Sequence, residues 1–169
     1  MTFENIVKSY EEMYDCKYDN LQLKELRYGF KQGLDISVFS NPKFAFNQMD
    51  EIRQGLAKNL NVSIYAKPTF DVGQMREIKK GLERNIDVSK YARVDYGHFM
   101  MELLHQLLKS GANFDNYILI DRLNVDRIIY DYDLLAKNTS LDRLDKWFKQ
   151  TIYTFAPYYI KEKYDEIDK

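Results

Sequence analysis

Two histidines, His98 and His105, stand seven residues apart, a spacing that puts them on one side of a helix. A pair of imidazoles can begin a metal site, but no Cys or carboxylate cluster completes it at a usual ligand spacing. The single Cys16 has no His at motif spacing, and one cysteine closes no intramolecular disulfide. No G-x-S-x-G elbow, P-loop or dinucleotide fingerprint occurs. The 26 Asp and Glu residues include no pair in an apolar context that would tune an acid–base couple. The expectation is a protein with no enzyme activity, no cofactor and no metal.

Two other groups have binding chemistry. Arg27, Arg53, Lys79 and His105 recur every 26 residues. Such a basic column can act as a ridge along a phosphate backbone or an acidic protein surface. It can equally pair with Glu25, Glu51 and Glu77, two residues upstream of Arg27, Arg53 and Lys79, as a ladder of salt bridges between repeats. The second group is Tyr117, Tyr130 and Tyr132, set among Asp115, Asp121, Asp126, Asp131 and Asp133. Tyr gives large contact area at low entropy cost, so Tyr117, Tyr130, Asp131, Tyr132 and Asp133 form a candidate surface for a basic partner. Tyrosines packed inward with solvated acids around them would give the same pattern.

The elements that must position these groups follow from the same 26-residue period. Leu23, Met49, Met75 and Met101 align, as do Leu26, Ile52, Ile78 and Leu104; Phe30, Leu56, Leu82 and Leu108; and Leu34, Leu60, Ile86 and Ala112. Offsets of 0, 3, 7 and 11 place these columns on one stripe of an α-helix. Asp19 with Gln22, and Asp71 with Gln74, are capping boxes at the helix starts. Ala45 replaces the Asp in the second unit, which predicts Asn47 as its cap. Gly33, Asn59, Asn85 and Gly111 are the residue types that end helices in a left-handed conformation. Beyond each stop, Asp-Ile-Ser, Asn-Val-Ser or Asp-Val-Ser offers a fresh cap for a helix of one or two turns, which Pro42 and Pro68 terminate.

A long helix of about 13 residues spans about 20 Å, and the short return can cover a similar distance. Successive long helices are therefore expected to lie parallel, each Glu flank facing the next basic flank. The column Phe39, Tyr65, Tyr91 and Tyr117 is expected in the core. Gly29, Gly55 and Gly81 lie inside the long helices, where glycine costs about 1 kcal/mol relative to alanine; their recurrence predicts a close approach by another backbone. The fourth unit has Leu107 there, so its packing must differ.

The predicted fold is all-α: a short α-solenoid of helix–short-helix repeats with helical caps at both ends. Residues 1–117 comprise an N-terminal cap helix (Phe3, Ile6, Val7, Tyr10, Met13) and four repeats. Residues 118–169 comprise a C-terminal helical cap, with helices over about 124–138, 140–155 and 158–167, in one continuous body. The chain is 45% hydrophobic and 15% aromatic, too apolar for disorder. Its net charge of −1 argues against a strongly basic nucleic-acid binder and against an acidic DNA mimic. Residues 20–96 carry thirteen bases and nine acids, against two and five in 1–19 and ten and twelve in 97–169. No apolar run reaches the roughly 20 residues that cross a bilayer, and Met1-Thr2-Phe3-Glu4-Asn5 does not begin a signal peptide. The expected address is the cytoplasm.

The stretches Gln48-Met49-Asp50-Glu51-Ile52-Arg53-Gln54-Gly55-Leu56 and Asp87-Val88-Ser89-Lys90-Tyr91-Ala92 resemble a short helical repeat of proteins carried by phages, plasmids and conjugative elements of Gram-positive bacteria. The resemblance covers about residues 18–117. It implies a mobile-element setting, in which small non-enzymatic proteins antagonise host defence, anti-CRISPR proteins among them; it transfers no site residues. The expected function is binding and inhibition of a host defence complex, with a protein or nucleoprotein partner. The alternative is a nucleic-acid-binding accessory or regulatory protein that uses the Arg27, Arg53 and Lys79 ridge.

Overall fold

The computed structural model describes residues 2–109, 111, 118–119 and 122–123. The chain divides into two compact units, Met1–Met101 and Glu102–Lys169. Five α-helices occur among the described residues: α1 (Phe3–Tyr14), α2 (Asn20–Lys31), α3 (Phe46–Ala57), α4 (Val72–Glu83) and α5 (His98–Lys109). The last four have 12 residues each and start 26 residues apart. Short 3-10 helices at Ile36–Phe39, Val62–Ile64 and Val88–Lys90 follow α2, α3 and α4. The regular elements among the described residues are therefore helices, but for the two-residue strands β1 (Ile118–Leu119) and β2 (Arg122–Leu123), which pair antiparallel. The helical character agrees with the all-α expectation, and the three predicted helices of the C-terminal cap lie outside the described residues.

Each helix boundary has a chemical cause. Asp19 and Asp71 accept the N–H of Gln22 and Gln74, while those glutamines accept the Asp N–H in return. The expected swap to Asn47 is corrected: Ala45 is the N-cap residue, and Asn47 is already the second residue of α3. Its Oδ1 still accepts the Gln48 N–H at 3.0 Å, so an orphan amide is satisfied from inside the helix. At the other ends, Gly33, Asn59, Asn85 and Gly111 all have positive φ, from 56° to 88°. The following N–H of Leu34, Leu60 and Ile86 returns to the carbonyl of Gly29, Gly55 and Gly81 at 3.0 Å each, the Schellman closure. The short helices end at Phe39 and Ile64. Pro42 and Pro68 thus stand in the following turn and do not themselves stop those helices.

Within the first unit, α2 packs on α3 and α3 on α4. Leu26, Met49, Ile52, Met75 and Ile78 have no exposed surface. Neither have Phe39, Tyr65 and Tyr91, the aromatic column expected in the core. A further column, Tyr18, Phe44 and Phe70, is buried one residue before each N-cap, the position from which a hydrophobic staple acts. Two expectations fail at the edge of the stripe. Phe30 is 37% exposed and Met13 is 69% exposed, because the core-facing stripe is narrower than the apolar columns suggest.

The glycine column is also corrected. A Cβ at Gly29 would lie 2.6 Å from Phe39 Cζ, and Cβ atoms at Gly55 and Gly81 would collide with the hydroxyls of Tyr65 and Tyr91. The close neighbour is the ring of the same unit's return, not a second backbone. Each glycine clears the space into which that ring folds.

Candidate functional site

The basic column belongs to the seams between long helices. Arg53, on α3, donates from Nε to Glu25 Oε2 on α2 at 2.8 Å, contacts Gln32 Oε1 at 3.4 Å through Nη1, and pairs with Asp50 through Nη2. Burial draws the Arg53 pKa down, but the hydrogen bonds and charges of Glu25 and Asp50 outweigh it and raise the value above the ordinary one. Lys79, on α4, repeats the arrangement one unit later, with Nζ 2.5 Å from Glu51 Oε2 and 2.6 Å from Gln54 Oε1 on α3. Arg76 adds a second cation to Glu51 at 2.9 Å, and Lys58, the C-cap of α3, meets Glu83 of α4 at 2.7 Å. Arg27 has no preceding repeat and turns to α1, 3.3 Å from Glu4 and 4.4 Å above the Phe3 ring centroid. This is the ladder. A phosphate ridge would have to break these pairs, and Lys79 is only 6% exposed.

The contacts from α3 to α4 run Glu51 to Arg76, Gln54 to Lys79 and Lys58 to Glu83. Partners are 25 residues apart at each rung and advance together, so the two helices are parallel. The same register between α2 and α3 sets Leu21 opposite Phe46 and Tyr28 opposite Arg53. Arg53 indeed stands 5.6 Å from the Tyr28 ring centroid, and Lys24 stands 5.7 Å from it. Leu21, Tyr28 and Phe46 are 47%, 42% and 42% exposed. The α2–α3 seam therefore presents Leu21, Tyr28 and Phe46 where the α3–α4 seam has Asn47, Gln54 and the half-buried Val72.

Among the candidates, Tyr117, Tyr130, Asp131, Tyr132 and Asp133 lie outside the described residues. His105 is fully buried. His98 lies half-exposed at the start of α5, Nδ1 3.9 Å from Asp71 Oδ1, and its ring occupies the space that a side chain at Gly73 would need. Among the described residues no group of three or more His, Cys, Asp and Glu could hold a metal ion. No described helix is long and apolar enough to cross a membrane.

Sequence reasoning missed half of what the glutamines do. Gln22, Gln48 and Gln74 accept an N-cap N–H through Oε1 and also donate through Nε2 to two carbonyls of the next return. Those carbonyls belong to Pro42 and Phe44, Pro68 and Phe70, and Val94 and Tyr96, at 2.6 to 3.3 Å. The retention of Gln48 beside Ala45, where no capping box is possible, was the available signal. Comparison with protein-family models, curated proteins and solved structures gave no match.

Proposed function

We propose that this chain is a non-enzymatic interaction protein of a phage or other mobile element, which binds a host defence complex such as a CRISPR effector and inhibits it by occupying a surface. We also propose that the four units stack as a short solenoid held between helical caps, and that the protein works in the cytoplasm beside its target. The carrying observation is where the polar groups go. Glu25, Glu51, Arg53 and Lys79 are committed to bonds between successive long helices and the three glutamines to bonds between each helix and its return, while Leu21, Tyr28 and Phe46 face solvent along one seam. A scaffold that spends its ionic groups internally and shows apolar side chains outward suits recognition of a protein surface. The resemblance of its repeat to mobile-element proteins supplies the setting.

Purified chain, mixed with a panel of Gram-positive CRISPR effector complexes, is expected to co-elute with at least one and to suppress its target cleavage in proportion to occupancy. Failure to bind or inhibit any member would remove the reading.

A further inference from the structure

We propose that the α2–α3 seam docks an acidic, apolar helical segment of a protein partner. This rests on the interaction-protein reading and names the surface and the partner chemistry.

The seam has an anchor row and a charge row. Leu21 and Tyr28 are seven residues apart on α2, two turns along one stripe, and the rung register sets Phe46 of α3 opposite Leu21. Three large exposed apolar side chains within two turns are the footprint of a helix-in-groove contact, in which anchors at i, i+3 or i+4, and i+7 seat between two parallel helices. Lys24 and Lys31 follow the same outward stripe of α2, and neither has an acid in ion-pair distance among the described residues, unlike Arg27, Arg53, Arg76, Lys79 and Lys80. The Lys24 ammonium and the Arg53 guanidinium stand 5.7 and 5.6 Å from the Tyr28 ring centroid, so two cations neighbour the exposed ring.

The charges select the occupant. Lys24, Lys31 and Arg53 give three positive charges, and Glu25 and Asp50 give two negative ones, which leaves the seam at +1. The two acids are taken up by Arg53, so the free charge is that of the outward lysines. A polyanion held by several phosphate contacts needs more cations than this, and Leu21 and Phe46 offer it nothing to hydrogen-bond. A short segment with apolar anchors and one or two carboxylates matches both rows.

The isotope-labelled full chain can be titrated with three probes followed by amide shifts: a helix-forming peptide with Leu, Phe and Leu at i, i+3 and i+7 flanked by Glu; the same peptide with Lys for Glu; and a single-stranded oligodeoxynucleotide. The Glu peptide is expected to bind at least about tenfold more tightly than the Lys peptide, to shift Leu21, Lys24, Tyr28 and Phe46, and to lose that preference in K24E/K31E, whose circular dichroism should match the parent. Equal binding of both peptides, preference for the oligonucleotide, shifts elsewhere or no binding would each overturn the proposal. Its failure is separable from that of the functional reading. An effector bound equally by the parent and by K24E/K31E would sink the seam alone, whereas peptide discrimination without any effector binding would sink the function alone.

Discussion

Gln48 Nε2 donates to the carbonyl of Phe70 at 2.6 Å, although 22 residues separate them. The same bond joins Gln22 to Phe44 and Gln74 to Tyr96. One amide side chain thus fixes the start of its own helix and the end of the return that leads to the next. Helix and return are set relative to each other by a neutral group with both a donor and an acceptor, which no charged residue could replace.

That requirement predicts unequal effects of substitution at position 48. Gln48→Ala leaves the Ala45 N–H and the Pro68 and Phe70 carbonyls without their partner and should cost about 2 kcal/mol or more. Gln48→Glu keeps the acceptor for the Ala45 N–H but turns a carboxylate toward two carbonyls, and should cost at least as much at neutral pH. Denaturant unfolding of both variants checks this; a Glu variant close to the parent would remove the double role.

The glycine column gives a prediction with an unusual sign. Gly→Ala inside a helix ordinarily stabilises by about 1 kcal/mol. At Gly55 the new methyl meets the Tyr65 hydroxyl and Val62, and overpacking of this kind costs about 1–3 kcal/mol. Gly55→Ala should therefore lower the melting temperature, and Y65F should recover part of the loss in the double variant. A rise in stability on Gly55→Ala alone would show that the ring can move aside.

Glu51 separates the ladder from ordinary surface pairs. Its side chain is 5% exposed, that of Lys79 is 7% exposed and that of Arg76 is 53% exposed. Glu51→Ala strands the Lys79 ammonium in the seam and should cost about 3 kcal/mol. Arg76→Ala removes a solvated partner and should cost less than about 1 kcal/mol. Chemical denaturation in low and high salt distinguishes them, since screening should erode the Arg76 contribution far more. The triple variant R27A/R53A/K79A should accordingly register as a loss of stability; an unchanged melting temperature with lost nucleic-acid affinity would reinstate the ridge.

The long helices were legible because their ends are written in residue types: Asp19 and Asp71 at starts, Gly33, Asn59 and Asn85 at stops. The ladder was legible as one of two options, since an acid stands two residues before Arg27, Arg53 and Lys79. Side-chain reach was not. Nothing in the spacing of Gly55 and Tyr65 tells a folded-back ring from a neighbouring backbone, and the apolar type of Met13 and Phe30 does not reveal that the partner surface stops short of them. The α2–α3 seam needed the 25-residue rung register, which only the ion pairs reveal.

Alkaline titration tests the buried tyrosines together. Burial pushes the hydroxyls of Tyr18, Tyr65 and Tyr91 above the ordinary tyrosine pKa of about 10. The unfolded chain therefore releases these protons first, so the stabilisation is complete below pH about 10 and is lost as pH rises beyond it. Tyr65 and Tyr91, which have no exposed surface, should each contribute up to about 1 kcal/mol per pH unit to that decline. Tyr65→Phe gives up the hydrogen bond to the Glu51 carbonyl, at 3.2 Å, and should be weaker than the parent at neutral pH by about 1 kcal/mol. It also removes one titrating group, so its stability should fall less steeply above pH about 10 and the two curves should converge. Tyrosinate absorbance followed beside circular dichroism decides the matter, because ionisation of the buried rings is expected only as the helical signal collapses. Full tyrosinate formation in a chain that keeps its helices would show that water reaches the column, and the packing of the Tyr65 and Tyr91 rings against Gly55 and Gly81 would have to be abandoned.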